Sequence, residues 1–157
     1  MKAKLIPLVL LVFSISVFAQ NVDVPKNVQA EFLKLYPKTT EVKWNKENKS
    51  GFEAEFKENG ISISIVMNGE GKVIETETKI DKKDLPGSVE SFVMKNYKGY
   101  KITEAAKIVD AKGVLIFEAE ISKGDLKKDL LFDKDGKLIV KEKDNSVNKE
   151  VEKDNKD

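Results

Sequence analysis

Phe52-Glu53-Ala54-Glu55-Phe56 returns 65 residues later as Phe117-Glu118-Ala119-Glu120-Ile121. The same offset carries Asn68-Gly69-Glu70-Gly71-Lys72-Val73-Ile74 onto Asp133-Lys134-Asp135-Gly136-Lys137-Leu138-Ile139. In each copy apolar and acidic residues alternate with the period of two that belongs to a half-buried strand, one face packed and one wet. Upstream, at an offset of 61, Pro25, Val28 and Tyr36 fall on Pro86, Val89 and Tyr97. The sequence therefore reads as a duplicated unit that begins before its strands, with a small insertion between helix and hairpin in the second copy.

Each unit opens on a helix. After Val24-Pro25, the residues Val28, Phe32, Leu35 and Tyr36, with Leu33 beside them, form an apolar stripe at helical spacing that Pro37 ends, and Asp23 stands near the cap. Val89, Phe92, Val93 and Tyr97 repeat the stripe after Leu85-Pro86, and Gly99 closes it. Strands are expected over 40–45, 52–56, 61–67 and 72–80 in the first unit and over 102–109, 114–121, 126–132 and 137–142 in the second. Turns rich in Asn, Asp and Gly separate them. The expected fold class is α+β: two tandem αββββ repeats, 24–80 and 84–142, joined by a short charged linker into one domain. Its antiparallel sheet has helices packed on one face and the other face open. A unit of about 60 residues buries little surface alone, which favours a shared core.

The ends differ from this body. Met1-Lys2-Ala3-Lys4, an apolar run from Leu5 to Phe18 and Val17-Phe18-Ala19 have the form of a signal peptide (1–19) cleaved after Ala19. The run is shorter than the roughly 20 residues of a membrane span, so no membrane span is expected after cleavage. No Cys follows it, so a lipid-anchored product is excluded. The expected location is periplasmic or secreted. Residues 143–157 are Lys, Glu, Asp and Asn with one Ser around two valines and read as a disordered charged tail.

Composition removes whole classes of chemistry. There is no Cys and no His. That eliminates Ser-His-Asp and Cys-His nucleophiles, Cys/His zinc sites and disulfides. All basic residues are Lys, so the bidentate fork that clamps phosphate is missing. Lys and Glu alternate without a basic patch, and no nucleic-acid partner is expected.

Glu53, Glu55, Glu118 and Glu120 are the sharpest feature. Alternation points all four away from the apolar face, where Glu75 and Glu77 join them. Such a surface is either an acidic patch for a cationic partner or a hard divalent ion, or a solvated sheet face paired with Lys and protected by charge from edge aggregation. Regular alternation gives no sign of one acid held in a separate environment, as a hydrolytic pair would need, and an enzyme is not expected. Asp133-x-Asp135-Gly136 resembles the start of an EF-hand loop, but the flanks read as strands and a β-turn is the reading. Asn48-Lys49-Ser50 carries no weight as a glycosylation acceptor. Trp44 shares the parity of Val42 and reads as core, with a binding aromatic as the alternative.

This order of residues resembles the PepSY-like exported proteins grouped with beta-lactamase inhibitory protein, common in Bacteroidetes: a leader, two helices of Pro-x-x-Val-x-x-x-Phe-x-x-x-Tyr-Pro type, a strand with Trp44, a Phe-Glu-Ala-Glu-Phe strand and an Asn/Asp-x-x-Gly-Lys hairpin. The resemblance covers 24–142. In the second copy Ala105 or Ala106 replaces Trp44, and Lys98-Gly99 stands where the proline would recur. It implies a tandem αββββ fold with a concave sheet, and for the inhibitor itself a face that grips an enzyme through aromatic and charged groups. That inhibitor is disulfide-bonded, whereas this chain has no Cys and its aromatics point inward, so the inhibitory activity is not carried over. The reading is an exported, non-enzymatic binding module without cofactor or bound metal. It engages an envelope or secreted protein or peptide through Glu53, Glu55, Glu75, Glu77, Glu118 and Glu120. The alternative is a carboxylate-based divalent-cation-binding envelope protein acting as buffer or sensor.

Overall fold

A computed structural model describes residues 22–47 and 51–139; the expected leader, the tail and residues 140–142 of the last expected strand lie outside them. Helix α1 (Lys26–Leu35) starts at Pro25, whose carbonyl accepts the first helical bond from the Gln29 N–H at 3.1 Å. Asp23 does not supply a cap. Gln29 Nε2 donates instead to the Val24 carbonyl at 2.8 Å. Helix α2 (Gly87–Asn96) begins in the same way at Pro86, and Gly99 at φ 83° turns the chain out of it. A 3-10 turn, Lys82–Asp84, occupies the charged linker.

The strands are β1 (Val42–Lys46), β2 (Gly51–Glu58), β3 (Ile61–Asn68), β4 (Val73–Lys79), β5 (Lys101–Asp110), β6 (Leu115–Lys123) and β7 (Leu126–Asp133). Among the described residues they form one seven-stranded sheet in chain order, antiparallel throughout. Asn59 at φ 52° and Gly60 at φ 81° give the β2–β3 hairpin the two positive-φ positions of a tight type I′ turn. The described residues of the eighth expected strand make a bridge of Leu138 with Phe132 and a bond from the Ile139 N–H to the Leu131 carbonyl at 2.7 Å. Strand β4 is held from both sides by β3 and β5. Among the described residues the segment after Gly136 bridges to β7.

Pairing carries the parity of Phe52, Ala54 and Phe56 across the sheet to Ile63, Ile65 and Met67 in β3, and Ala119 shares a face with Ala105 and Leu130. Both helices pack on this face. Val24, Val28 and Phe32 meet β2 and β3, and Leu85, Val89 and Val93 meet Ala105, Ala119, Ile121, Leu130 and Phe132. The α1 stripe is narrower than its spacing suggests, because Leu33 and Leu35 stay exposed at 51% and 55% while Val28 and Phe32 are fully buried. Phe32 sits at the centre of an aromatic cluster, 5.3 Å from Trp44 and 5.2 Å from Phe56, both edge-on. Trp44 is thus a core residue.

Two turns hold the helices to the sheet. The Asn68 Oδ1 accepts the N–H groups of Glu70 and Lys72, and the Asp133 Oδ1 accepts those of Asp135 and Lys137, each at about 3 Å. Asp133-x-Asp135-Gly136 is a β-turn stapled by its own Asp. Asn27 Nδ2 donates to the Gly69 carbonyl, and Ser88 Oγ donates to the carbonyls of Asp135 and Gly136. At Gly136 (φ 73°) an added Cβ would stand 2.0 Å from Ser88 Oγ and 2.9 Å from Pro86 Cβ. At Gly60 it would meet nothing within 4 Å. Gly60→Ala should therefore cost only the left-handed backbone strain, about 1 kcal/mol, and Gly136→Ala about 2 kcal/mol or more. Urea denaturation of both variants reads the difference, and equal losses would show that the α2 contact is slack.

Candidate functional site

Parity and pairing place all six expected acids on the face away from the helices. One cross-strand row runs Lys43, Glu55, Ser64, Glu77, Ile108 and Ile116; a second runs Asn45, Glu53, Val66, Glu75 and Asp110. Further along, Ala106 pairs with Glu118, and Glu120 lies between Glu104 and Asp129. Bulges at Ile74 and Thr103 keep these parities aligned across β3–β4 and β5–β6.

This face is not uniformly wet, which corrects the expectation of a solvated surface. Glu53, Glu77 and Glu118 are only 5%, 6% and 7% exposed, whereas Glu55, Glu75 and Glu120 are half-buried. The face is concave. A cavity of about 310 Å³ lies on its β3–β7 side, lined among others by Ser62, Ser64, Glu77, Ala106, Glu118 and Glu120, and leaves Glu53, Glu55 and Glu75 outside its lining. An apolar patch of Ile108, Ile116 and Leu131, joined by Ile139, adjoins it. Ile108 is paired directly with Glu77, so the acid stands between a hydroxyl-bearing strand and an apolar one.

The carboxylates divide by partner. Ser64 Oγ donates to Glu53 Oε1 at 2.6 Å and Asn45 Nδ2 donates to its Oε2 at 3.3 Å. Asn45 also donates to Glu55, which Lys43 approaches at 3.4 Å. Thr103 Oγ1 donates to Glu120 Oε1 at 2.6 Å, and Lys127 reaches Glu120 at 3.1 Å. Lys79 pairs with Glu104 at 2.7 Å. Glu77 Oε2 is different: it is buried and has no hydrogen-bond partner among the described residues.

Burial, together with the charges of Glu118, Glu53, Glu75 and Asp129, pushes the Glu77 carboxyl up to about 8. Burial also raises Glu53, although the bonds from Ser64 and Asn45 oppose it, and burial with the Glu120 charge raises Asp129. At Glu120 burial acts upward too, but bonds from Thr103 and Lys127 and the charges of Lys127 and Lys79 outweigh it and hold the group below its ordinary value. One acid in a separate environment does exist, contrary to the reading from alternation. Asp129 and Glu47 were missed as members. Burial and Glu53 raise Glu47, whose Oε1 is buried with no hydrogen-bond partner among the described residues. Asp129 could have been found from the 65-residue offset, which lays it on Ser64, the cross-strand neighbour of Glu55 and Glu77. Among the described residues no group of three acids is placed to hold a metal ion.

Fold and face together define a class: an α+β fold whose seven-stranded antiparallel sheet is covered by two helices on one side and open on the other. No protein-family model and no curated protein matches the chain. Solved structures do. The chain is similar to a DUF2874 family protein from Bacteroides uniformis, with 25% identity over 74% of this chain and 86% of that one, at a TM-score of 0.64. It is similar to a BLIP-like protein from Bacteroides fragilis, with 22% identity over 74% and 83% and a TM-score of 0.57. A Bacteroides eggerthii protein, whose name places it in the periplasm, shares 18% identity over 74% and 86% at a TM-score of 0.66. Among the described residues no helix is long and apolar enough to cross a membrane.

Proposed function

We propose that this protein is an exported, non-enzymatic binding module of the PepSY-like class that engages an envelope or secreted protein or peptide through its concave sheet face. The observation that carries this is that Glu53, Glu55, Glu75, Glu77, Glu118 and Glu120 share one sheet face, where Glu77, Glu118 and Glu120 line a cavity beside an apolar patch. Charge and apolar area side by side are what a polypeptide interface needs. The chain is read as a duplicated αββββ unit: helices offset by 61, β2 and β3 offset by 65 from β6 and β7, and Trp44–Ala54 matched by Ala105–Ala119. Duplication would bring the two Phe/Ile-flanked Glu pairs onto one surface.

Two observations favour binding over the other readings. A hydrolytic pair needs one free acid and one free carboxylate, but Glu120, the acid held low, has both oxygens engaged by Thr103 and Lys127. A divalent-cation buffer needs several oxygens converging on one point, and the described acids are spread along separate rows. The export reading is supported by the leader-like first 19 residues and by the periplasmic name of one structural neighbour.

The test is capture from envelope and culture-supernatant fractions on residues 20–157, beside a Glu55→Lys/Glu75→Lys variant and a helix-side Lys34→Glu control. Polypeptides selected on the native chain should lose at least tenfold in affinity on the concave-face variant and nothing on the control. Equal retention by all three baits would dismiss the concave face.

A further inference from the structure

We infer, resting on that binding-module reading, that the cavity at Glu77 receives the ammonium group of a lysine side chain presented by the partner polypeptide. Glu77 is 94% buried, lines the cavity, and keeps one carboxylate oxygen without a donor among the described residues. A buried acceptor left unsatisfied is costly, and few are kept in folded chains without a reason. Among the described residues the cations lining the cavity are already engaged: Lys79 with Glu104, and Lys127 with Glu120. What is missing is a donor from outside.

The shape and charge of the site select its chemistry. Around Glu77 stand Glu53 on β2, Glu75 and Lys79 on β4, Glu104 on β5, Glu118 and Glu120 on β6, and Lys127 and Asp129 on β7. Acids outnumber bases in that set, and the two lysines are paired, so the local field favours a cation. A single unpartnered oxygen suits a compact ammonium on a thin alkyl stem. A guanidinium would need two coplanar oxygens for its fork. Ala106, where a larger side chain would close the floor, leaves room for the stem. The patch of Ile108, Ile116 and Leu131 gives neighbouring apolar residues of the partner a seat, which a free amine could not use.

Proton exchange gives the site a signature. Glu77 is mostly protonated at neutral pH when the cavity holds no cation, so an incoming ammonium must displace its proton. Affinity should rise by up to about tenfold per pH unit below pH 8, and then level off as the carboxylate ionises on its own.

The probe is a pentapeptide, acetyl-Ala-Leu-Lys-Leu-Ala-amide, titrated into the ¹⁵N-labelled chain of residues 20–157 and followed by amide shifts. The expected result is shifts centred on Ser64, Glu77, Ala106 and Glu118. Affinity should fall about tenfold or more with arginine or acetyl-lysine in the peptide, and to the same degree in Glu77→Gln. Ala106→Leu, which fills the cavity and leaves every charge in place, should abolish the shifts as well. Binding that survives Glu77→Gln or lysine acetylation overturns the inference. So does n-butylammonium binding as tightly as the peptide, which would make this a small-amine site, or calcium chloride moving the same amides. If the peptide fails while captured polypeptides still depend on Glu55 and Glu75, the lysine site falls and the binding module stands. If both fail, both fall.

Discussion

Glu77→Gln should raise stability by less than about 1 kcal/mol at pH 5 and by several kcal/mol at pH 9. The folded carboxyl titrates near 8, against 4.5 in a solvated chain. Below 4.5 both states carry the proton and the group contributes nothing. Between 4.5 and 8 the unfolded chain has released a proton that the fold retains, so each pH unit costs up to about 1.4 kcal/mol. Above 8 the penalty is complete, with an upper bound of about 5 kcal/mol over that interval. Glu53, Glu47 and Asp129 are raised too and act in the same direction. Glu120, held low, acts the opposite way, favouring the fold as its carboxylate ionises. The glutamine has nearly the same shape and never ionises. Urea midpoints at pH 5, 7 and 9 decide it: the native protein should weaken with rising pH and the variant should weaken much less. Parallel slopes would mean that the Glu77 carboxyl is solvated, and the concave cavity would then be far wetter than its geometry says.

That a stability defect sits at the centre of the concave face is itself an argument about function. The fold could have placed Ser or Thr opposite Ser64, as β4 does on its other face with Thr76 and Thr78. A buried acid among acids is a site where the bound state can recover what the free fold gives up.

How much of this was legible follows from what alternation encodes. A period of two tells which residues share a face, and Phe52, Ala54 and Phe56 against Glu53 and Glu55 were placed on their proper sides by that rule alone. Asn59-Gly60 marked its hairpin because few other residue pairs accept two positive φ values. Curvature is not encoded in this way. Nothing in Glu-x-Glu distinguishes Glu53, buried under Ser64 and Asn45, from Glu55 at its rim. The apolar patch was hidden for a related reason: β5 reads Ala105-Ala106-Lys107-Ile108-Val109, apolar on both parities, and its bulge at Thr103 shifts the register midway. The breadth of the α1 stripe was overestimated because helical spacing alone does not say how far the sheet reaches under Leu35.

Phe132→Ala should cost about 3–5 kcal/mol, and the loss should be visible at Trp44 in the other half of the chain. Phe132 is fully buried under α2, with Phe92 edge-on at 5.6 Å, and its removal leaves a cavity ringed by Val89, Val93 and Ala119. Trp44 belongs to the α1 cluster, so the question is whether the two clusters fail together. The helix face between them carries Thr76, Thr78, Lys107 and Val109, a weak apolar bridge. The sheet nonetheless continues without a break: β4 and β5 pair from Glu75↔Asp110 to Lys79↔Ala106, and β4 would become an unprotected edge if the second half unfolded first. The cavity at Glu77 is also built from both halves, Ser64 and Glu77 on one side and Ala106, Glu118 and Glu120 on the other. A single cooperative transition is therefore expected. Trp44 fluorescence and far-ultraviolet circular dichroism should move to the same lower urea midpoint in Phe132→Ala as in its α1 counterpart Phe32→Ala. A Trp44 transition that stays at the native midpoint while the dichroism splits in two would mean that each half folds alone, and that the concave site is assembled by docking rather than by folding.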